Sequence, residues 1–230
     1  MNKKIVFISD THNKHNYLTS KGMGNILGSG DVLVHAGDCT SMGKSHEITN
    51  FLNWFGMTDF THKIFIAGNH DFGFEMHTDI AEEFKEKGII YLFDSEVVID
   101  GVKFYGSPWQ PDFYDWAFNL PRGEKLAEKW AKIPGNTDIL ITHGPAHGML
   151  DWTMSGQRVG CEDLFHRIME VQPKIHVCGH IHCAYGQKSF HGVEFLNASV
   201  LDERYEHANK PIVINFDTET KEIDYPWKIK

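Results

Sequence analysis

Five short apolar runs in this 230-residue chain each stop at a cluster of Asp, Asn or His. IVFIS (5–9) stops at Asp10-Thr11-His12, DVLVHA (31–36) at Gly37-Asp38, and KIFIA (63–67) at Gly68-Asn69-His70-Asp71. DILIT (138–142) stops at His143-Gly144, and KIHVC (174–178) at Gly179-His180-Ile181-His182. One apolar strand ending this way is common. Five in succession, most flanked by glycine, read as a single assembled site. In open α/β sheets, ligand sites form just beyond the carboxyl ends of the strands. The glycines permit tight turns and close backbone approach there.

The remaining pattern sets the architecture. Strands are expected at 5–9, 31–36, 63–67, 89–93, 97–99, 103–105, 138–142, 174–178, 193–197 and 212–216. Helices are expected at 45–55, 79–87, 124–132 and 161–170. Asp100-Gly101 signals a hairpin turn, and His191-Gly192 a weaker one. Strands alternate with helices early, and hairpins dominate the middle and end. This mixture predicts an α/β fold with two packed mixed sheets and helices outside, not a plain doubly wound sheet. No repeat or low-complexity linker interrupts the chain, so one domain over residues 1–230 is expected. Two long irregular stretches, 106–123 and 144–160, read either as functional loops or as an aromatic cover over a sheet edge.

Composition narrows the function classes. A hydrophobic share of 41% and an aromatic share of 13% support a substantial core. No segment approaches the roughly 18 consecutive apolar residues of a membrane span. The apolar run in MNKKIVFISD is too short for a secretion signal, so a cytoplasmic protein is expected. Cys39, Cys161, Cys178 and Cys183 form no CxxC pattern and read as reduced thiols. The net charge, 22 minus 31 or −9, argues against an extended nucleic-acid surface. A small anionic substrate stays open, because bound cations reverse the local charge.

Some motifs fail. Gly43-Lys44-Ser45 ends like a phosphate-binding loop, but the required first glycine is Asp38. His46-Glu47 begins like a zinc-protease helix, but the second histidine is Asn50. Asn197-Ala198-Ser199 matches a glycosylation acceptor without a secretory signal.

Others hold. Asp10 and His12 are two residues apart, as are His180 and His182, and in extended chain such pairs point the same way. The candidate ligands are Asp10, His12, Asp38, Asn69, His143, His180 and His182. Seven are too many for one ion with an open position. They suit two divalent ions sharing a carboxylate, with Asp38 the natural bridge. A nitrogen and oxygen set without thiolates favours manganese, iron or zinc, with manganese taken first. His35 and His176, inside strands, read as packing or as outer support for ligand histidines. His15, His46, His62, His77, His166 and His207 read as surface or helix positions.

The order D-x-H, G-D, G-N-H-D, H-G, G-H-x-H resembles the calcineurin-like metallophosphoesterase superfamily over roughly residues 3–199. GSPWQP (106–111), WAFNLPRG (116–123) and HGPAHGMLD (143–151) resemble its metallophosphoesterase-domain-containing subfamily. The resemblance implies a four-layer αββα sandwich with a dinuclear site. Asp10, His12, Asp38 and His182 would hold one ion, and Asp38, Asn69, His143 and His180 the other. His70 would be the catalytic histidine and Asp71 its partner. The implied reaction is hydrolysis of small phosphodiesters, cyclic and other nucleotides among them, by a metal-bridging hydroxide. The alternatives are a phosphomonoesterase or protein phosphatase and, third, a non-catalytic scaffold. Substrate contacts are expected from His147 and Arg158, with Arg122, Asn119, Trp109 and Tyr185 as further candidates.

Overall fold

The computed structural model describes residues 1–20, 22, 24–76 and 81–226. The chain begins β1 (Asn2–Ile8), α1 (Asn16–Thr19), β2 (Gly30–Ala36), α2 (Ser45–Gly56), β3 (Phe60–Ile66), α3 (Phe72–Met76), α4 (Ala81–Glu86) and β4 (Ile89–Tyr91). It continues β5 (Ser95–Ile99), β6 (Val102–Ser107), β7 (Gln110–Pro111), β8 (Asn119–Leu120), α5 (Glu124–Trp130), β9 (Ile139–Thr142), α6 (Glu162–Val171) and β10 (Ile175–Cys178). It closes with β11 (Gly186–Phe190), β12 (Val193–Asn197), β13 (Ile212–Asp217) and β14 (Ile223–Asp224).

Two six-stranded sheets result, ordered β14-β13-β1-β2-β3-β4 and β11-β12-β10-β9-β6-β5. In the first, β1 to β4 run parallel and β13 and β14 extend the sheet antiparallel. In the second, β6, β9, β10 and β12 run parallel between antiparallel β5 and β11.

The apolar runs are continuous because the central strands are buried on both faces. Ile5 and Phe7 of β1, Val32 and Val34 of β2, and Ile64 and Ile66 of β3 pack against Ile139, Ile141, Ile175 and Val177 of the opposing sheet. The alternate residues Val6, Leu33 and Phe65 face outward onto Phe51, Leu52 and Phe55 of α2 and Phe84 of α4. On the far side, Leu140 and Phe195 meet Leu126 and Trp130 of α5 and Leu164 and Ile168 of α6. The result is the αββα sandwich.

The two sheets come into close contact at Gly106 in β6. A Cβ there would lie 2.5 Å from the Leu92 Cβ and 2.7 Å from the Ile66 Cγ2.

Several details depart from the sequence pattern. GQKSF forms the edge strand β11 although it lacks apolar alternation, because the His191-Gly192 turn, with φ of 48° and 82°, folds it back onto β12. The stretch 106–123 contains the small parallel pair β7–β8. The helix expected at 79–87 is α4; residues 79 and 80, and His77, lie outside the described residues. His15, read as a surface or helix position, is buried, with its ring 4.8 Å from that of Trp54. Among the described residues no helix is long and apolar enough to cross a membrane.

Gly106→Ala is expected to force the sheets apart and cost about 1–3 kcal/mol, as overpacking does. Urea titration should show a lower midpoint with an unchanged slope.

Candidate metal centre

All seven candidate ligands sit just beyond the carboxyl ends of central strands. Asp10 and His12 follow β1, Asp38 follows β2, Asn69 follows β3, His143 follows β9, and His180 and His182 follow β10. Main-chain hydrogen bonds stitch these ends together. The Asp10 amide donates to the Gly37 carbonyl, the Gly179 amide to His143, and the Ser9 amide to Ala198, each at 2.9 Å.

The ligand pairs do not converge by strand alternation, as their spacing suggested. Asp10, His12, Asp38 and His180 have φ of 54°, 38°, 57° and 68°, so each turns through the left-handed region after its strand has ended. Asp and His tolerate that region better than bulky residues. Such strain persists only where surrounding contacts fix it. Gly68 and Gly179 make room for it, since a Cβ on either would collide with the Asp38 or Asp10 carboxylate.

The side chains gather into overlapping groups. Asp10, His12 and His182 bring potential ligand atoms within 4.8 Å of one another, as do Asp38, His143 and His180, and His12, Asp38 and His70. The His182 Nε2 lies 3.3 Å from Asp10, and the His143 Nε2 3.3 Å from Asp38. The His12 Nε2 lies 3.7 Å from the same Asp38 oxygen as His143. Asn69 joins through its Oδ1, 3.0 Å from the His143 Nε2.

Backbone carbonyls aim three of these rings. The Nδ1 of His143 meets Ala36 at 2.9 Å, that of His182 meets Asp202 at 2.9 Å, and that of His70 meets Ser41 at 2.8 Å. Each pairing leaves Nε2 for the site. Ser9 and Ser199 hydroxyls donate to Asp10 at 2.5 and 2.7 Å. His35 bonds the Thr11 hydroxyl at 3.0 Å, and His176 bonds that of Thr142 at 2.8 Å. Each of these strand histidines therefore braces a residue adjoining a candidate ligand, the second of the two readings its position left open.

The donor set fits divalent ions. His12 is buried, yet neither ring nitrogen has a hydrogen-bond partner. An unpaired buried imidazole is costly unless something takes its lone pair. Two carboxylates and four imidazoles, its own included, offer the nitrogen and oxygen ligands such ions prefer. Cys39, close by, is no ligand: its buried thiol donates to Asp71 and is pushed well above its ordinary pKa by burial.

The electrostatics of the bare cluster are self-compensating. Burial disfavours the charged form of Asp10 and Asp38, but His182 and His143 override it, so both carboxyls stay below the usual range. Burial likewise opposes charge on His143 and His182, but Asp38 and Asp10 raise each imidazole to about 9. Burial dominates elsewhere, lowering His12 to about 4 and His180 to about 3.

Asp71 does not orient His70, contrary to its expected role. Ser41 occupies the His70 Nδ1. The Asp71 carboxylate instead accepts from the amides of Gly68 at 2.9 Å and Thr40 at 2.9 Å and from the Thr40 hydroxyl at 2.7 Å. It staples the turn after β2 to the turn after β3. The expected substrate contacts fare similarly. Arg158 pairs with buried Asp151 at 3.0 Å and stacks on Trp152. His147 lies 3.5 Å from Glu162 and 3.9 Å from Asp151. Arg122 bonds Glu162 and the carbonyls of Gly160 and Val159. Asn119 pins the carbonyls of Phe113 and Tyr114, Trp109 donates to Asp94, and Tyr185 to Lys210. These side chains shape the loops.

Other neighbours were not among the residues the sequence singled out for the site. Tyr205 sets its ring 4.9 Å from His12 and 5.4 Å from His182. Trp116 lies 4.1 Å from His70, and Phe113 5.0 Å from His180. Asn197, in the glycosylation-like triplet, is buried and donates to the carbonyls of Gly179 and Ile181, bracing the Gly179–His182 turn. A cleft of about 600 Å³ opens beside His180, walled by Phe113, Pro145, Met154, Arg122 and Glu203.

The chain matches the calcineurin-like phosphoesterase family over residues 3–184. It is 43% identical over 239 residues to metallophosphoesterase domain-containing protein 1 of Homo sapiens, covering 94% of this chain and 71% of that protein. It is 36% identical over 232 residues to UPF0046 protein K07C11.7 of Caenorhabditis elegans, covering 94% and 76%. The fold also superposes on phosphopantetheinyl hydrolase from Mycobacterium tuberculosis, with a TM-score of 0.58 at 16% identity over 88% of this chain and 90% of that one.

Metal binding must displace the protons on His143 and His182. In the bare protein these raised groups stabilise the fold fully below about pH 6.5, and that contribution is lost as pH rises through about 9. Metal affinity runs the opposite way and is expected to climb between about pH 6 and 9, with proton release. Calorimetry in buffers of different ionisation enthalpy would count the protons; affinity flat across that range would contradict the assignment.

Proposed function

The chain belongs to the calcineurin-like phosphoesterase family, and from that premise we propose that it hydrolyses small phosphodiesters at two divalent ions sharing Asp38. The observation that carries this reading is His12, buried with neither ring nitrogen hydrogen-bonded, its Nε2 3.7 Å from the same Asp38 oxygen that His143 approaches at 3.3 Å. Asp10, His12, Asp38 and His182 would hold one ion, and Asp38, Asn69, His143 and His180 the other. Ions held there would supply Lewis acidity toward phosphoryl oxygens and a water acidic enough to ionise near neutral pH. Manganese, iron and zinc all suit a nitrogen and oxygen set without thiolate, and manganese is the ion we would load first.

The protein groups have separable tasks. Asp10 and Asp38 supply fixed negative charge that keeps cations in place. The three carbonyl-anchored imidazoles need no reorganisation during the reaction. His70 keeps Nδ1–H on the Ser41 carbonyl and, when protonated at Nε2, donates that proton to the departing oxygen. Asp71 acts indirectly, by fixing the turn from which His70 projects.

A monoanionic diester suits the cleft better than a dianionic monoester. Arg122 is the one cation among the described residues lining it, and that guanidinium is already engaged, while Asp112 and Glu203 add negative charge. Nucleotides are candidates because the aromatic Phe113 lines the cleft.

Bis(4-nitrophenyl) phosphate should be hydrolysed faster than 4-nitrophenyl phosphate by manganese-loaded protein. Faster monoester turnover would favour a phosphomonoesterase, and turnover of neither would favour a binding scaffold. His70→Ala should keep its metal by elemental analysis and lose about 100- to 10,000-fold in turnover. Asp38→Ala should lose metal and turnover together; two ions retained in that variant would refute the bridge.

A further inference from the structure

One loop, residues 112–118, shapes two separate hollows beside the cluster. Phe113 walls the cleft next to His180. Three residues on, Trp116 lies against His70, with its ring at 4.1 Å and tilted by 37°. Met42, Phe72, Tyr114 and Asp115 complete an open hollow of about 420 Å³ around that tryptophan. Its lining contains no cation among the described residues, and four of its five side chains are large and apolar or aromatic.

The hollow is built rather than incidental. Phe72 supports Trp116 from below, with ring centroids 5.7 Å apart. The Ala117 amide donates to the carbonyl of Asn69, and the Phe118 amide to Glu75 at 2.9 Å, so the tryptophan is pinned to the turn that carries His70. Tyr114, with φ of 48°, is held at its carbonyl by Asn119. Met42 and Tyr114 nonetheless stay 50% and 89% exposed, leaving apolar surface open around Trp116, whose ring lies against the one proton donor of the proposed reaction.

We propose that this hollow is the leaving-group subsite, and that it selects diesters whose departing alcohol is aromatic or bulky and apolar. The proposal rests on the phosphodiesterase reading and on His70 as proton donor. The group protonated by His70 must depart next to His70, and the surface there is the Trp116 shelf. The retained ester group then lies in the cleft beside Phe113. Water adds its oxygen to phosphorus, the P–O bond to the departing alcohol breaks, and the His70 proton passes to that alcohol oxygen. Hydrolysis therefore yields the retained monoester and a neutral aryl alcohol.

The test uses the full chain loaded with manganese and two methyl phosphodiesters. One has a 2-naphthyl leaving group, the other a fluoroalkyl leaving group of matched acidity. Trp116→Ala should lower the ratio of kcat/KM for aryl over fluoroalkyl ester about tenfold, the effect of one lost stacking partner. Trp116→Phe should restore most of that ratio. Met42→Ala, at an exposed position, should lower it in the same direction without depending on the Trp116 fold contacts. An equal fall for both esters would reduce Trp116 to a support for His70 and overturn the subsite. An unchanged ratio in all three variants would overturn it too. Wild-type protein that cleaves both esters without aryl preference would refute the subsite alone. Wild-type protein that binds metal but cleaves neither would refute the phosphodiesterase reading as well.

Discussion

Burial of the central parallel strands on both faces is the constraint from which the rest of the molecule follows. β1, β2, β3, β9 and β10 have apolar neighbours above and below, so no polar side chain can be carried within them without a partner. Three polar side chains are buried within these strands: His35 finds the Thr11 hydroxyl, and Thr142 and His176 find each other. Polar chemistry is therefore confined to the strand ends. Because the five strands are parallel within two facing sheets, those ends meet at one rim of the sandwich. The site is what this architecture leaves over.

At that rim, buried carboxylates and imidazoles stabilise one another without any ion. Asp38 faces His143 and His12, and Asp10 faces His182. Removing either carboxylate would leave charged or unpaired groups in a water-poor setting, which costs more than the pair itself contributes. The left-handed turns at Asp10, His12, Asp38 and His180 are the conformational cost of the same arrangement, each on the order of 1–3 kcal/mol. Asp71 and Asn197 offset that cost by tying neighbouring turns together through main-chain hydrogen bonds.

The loops divide labour around this rigid base. Residues 144–160 spend their polar groups internally: Asp151 accepts from Arg158 and from the amides of Gly148 and Gly160. Residues 112–118 instead turn aromatic faces toward His180 and His70. The loop after Ser199 returns to the site from the far side. Its Asp202 carbonyl fixes His182, and its Tyr205 ring covers His12. Substrate selection on such a scaffold falls to the loops, which vary without disturbing the sheets.

The apolar runs and their terminal Asp, Asn and His residues were legible in the chain, because strand burial and ligand chemistry both act through residue type at short spacing. The α/β class and the residues that gather into the buried Asp and His cluster followed from that local pattern. Strand β11 and the burial of His15 did not, since GQKSF gains its place from β12, and His15 gains its place from Phe51 and Trp54. Nor did the partner of His70: Asp71 is adjacent in sequence, but the backbone turns it toward Thr40 and leaves Ser41, 29 residues upstream, to hold the ring. The sequence by itself determined which groups could bind metal. Only the tertiary structure decided which share an oxygen, which nitrogen each imidazole presents and which aromatic faces the proton donor, because those depend on long-range contacts and turn geometry that spacing along a chain does not encode.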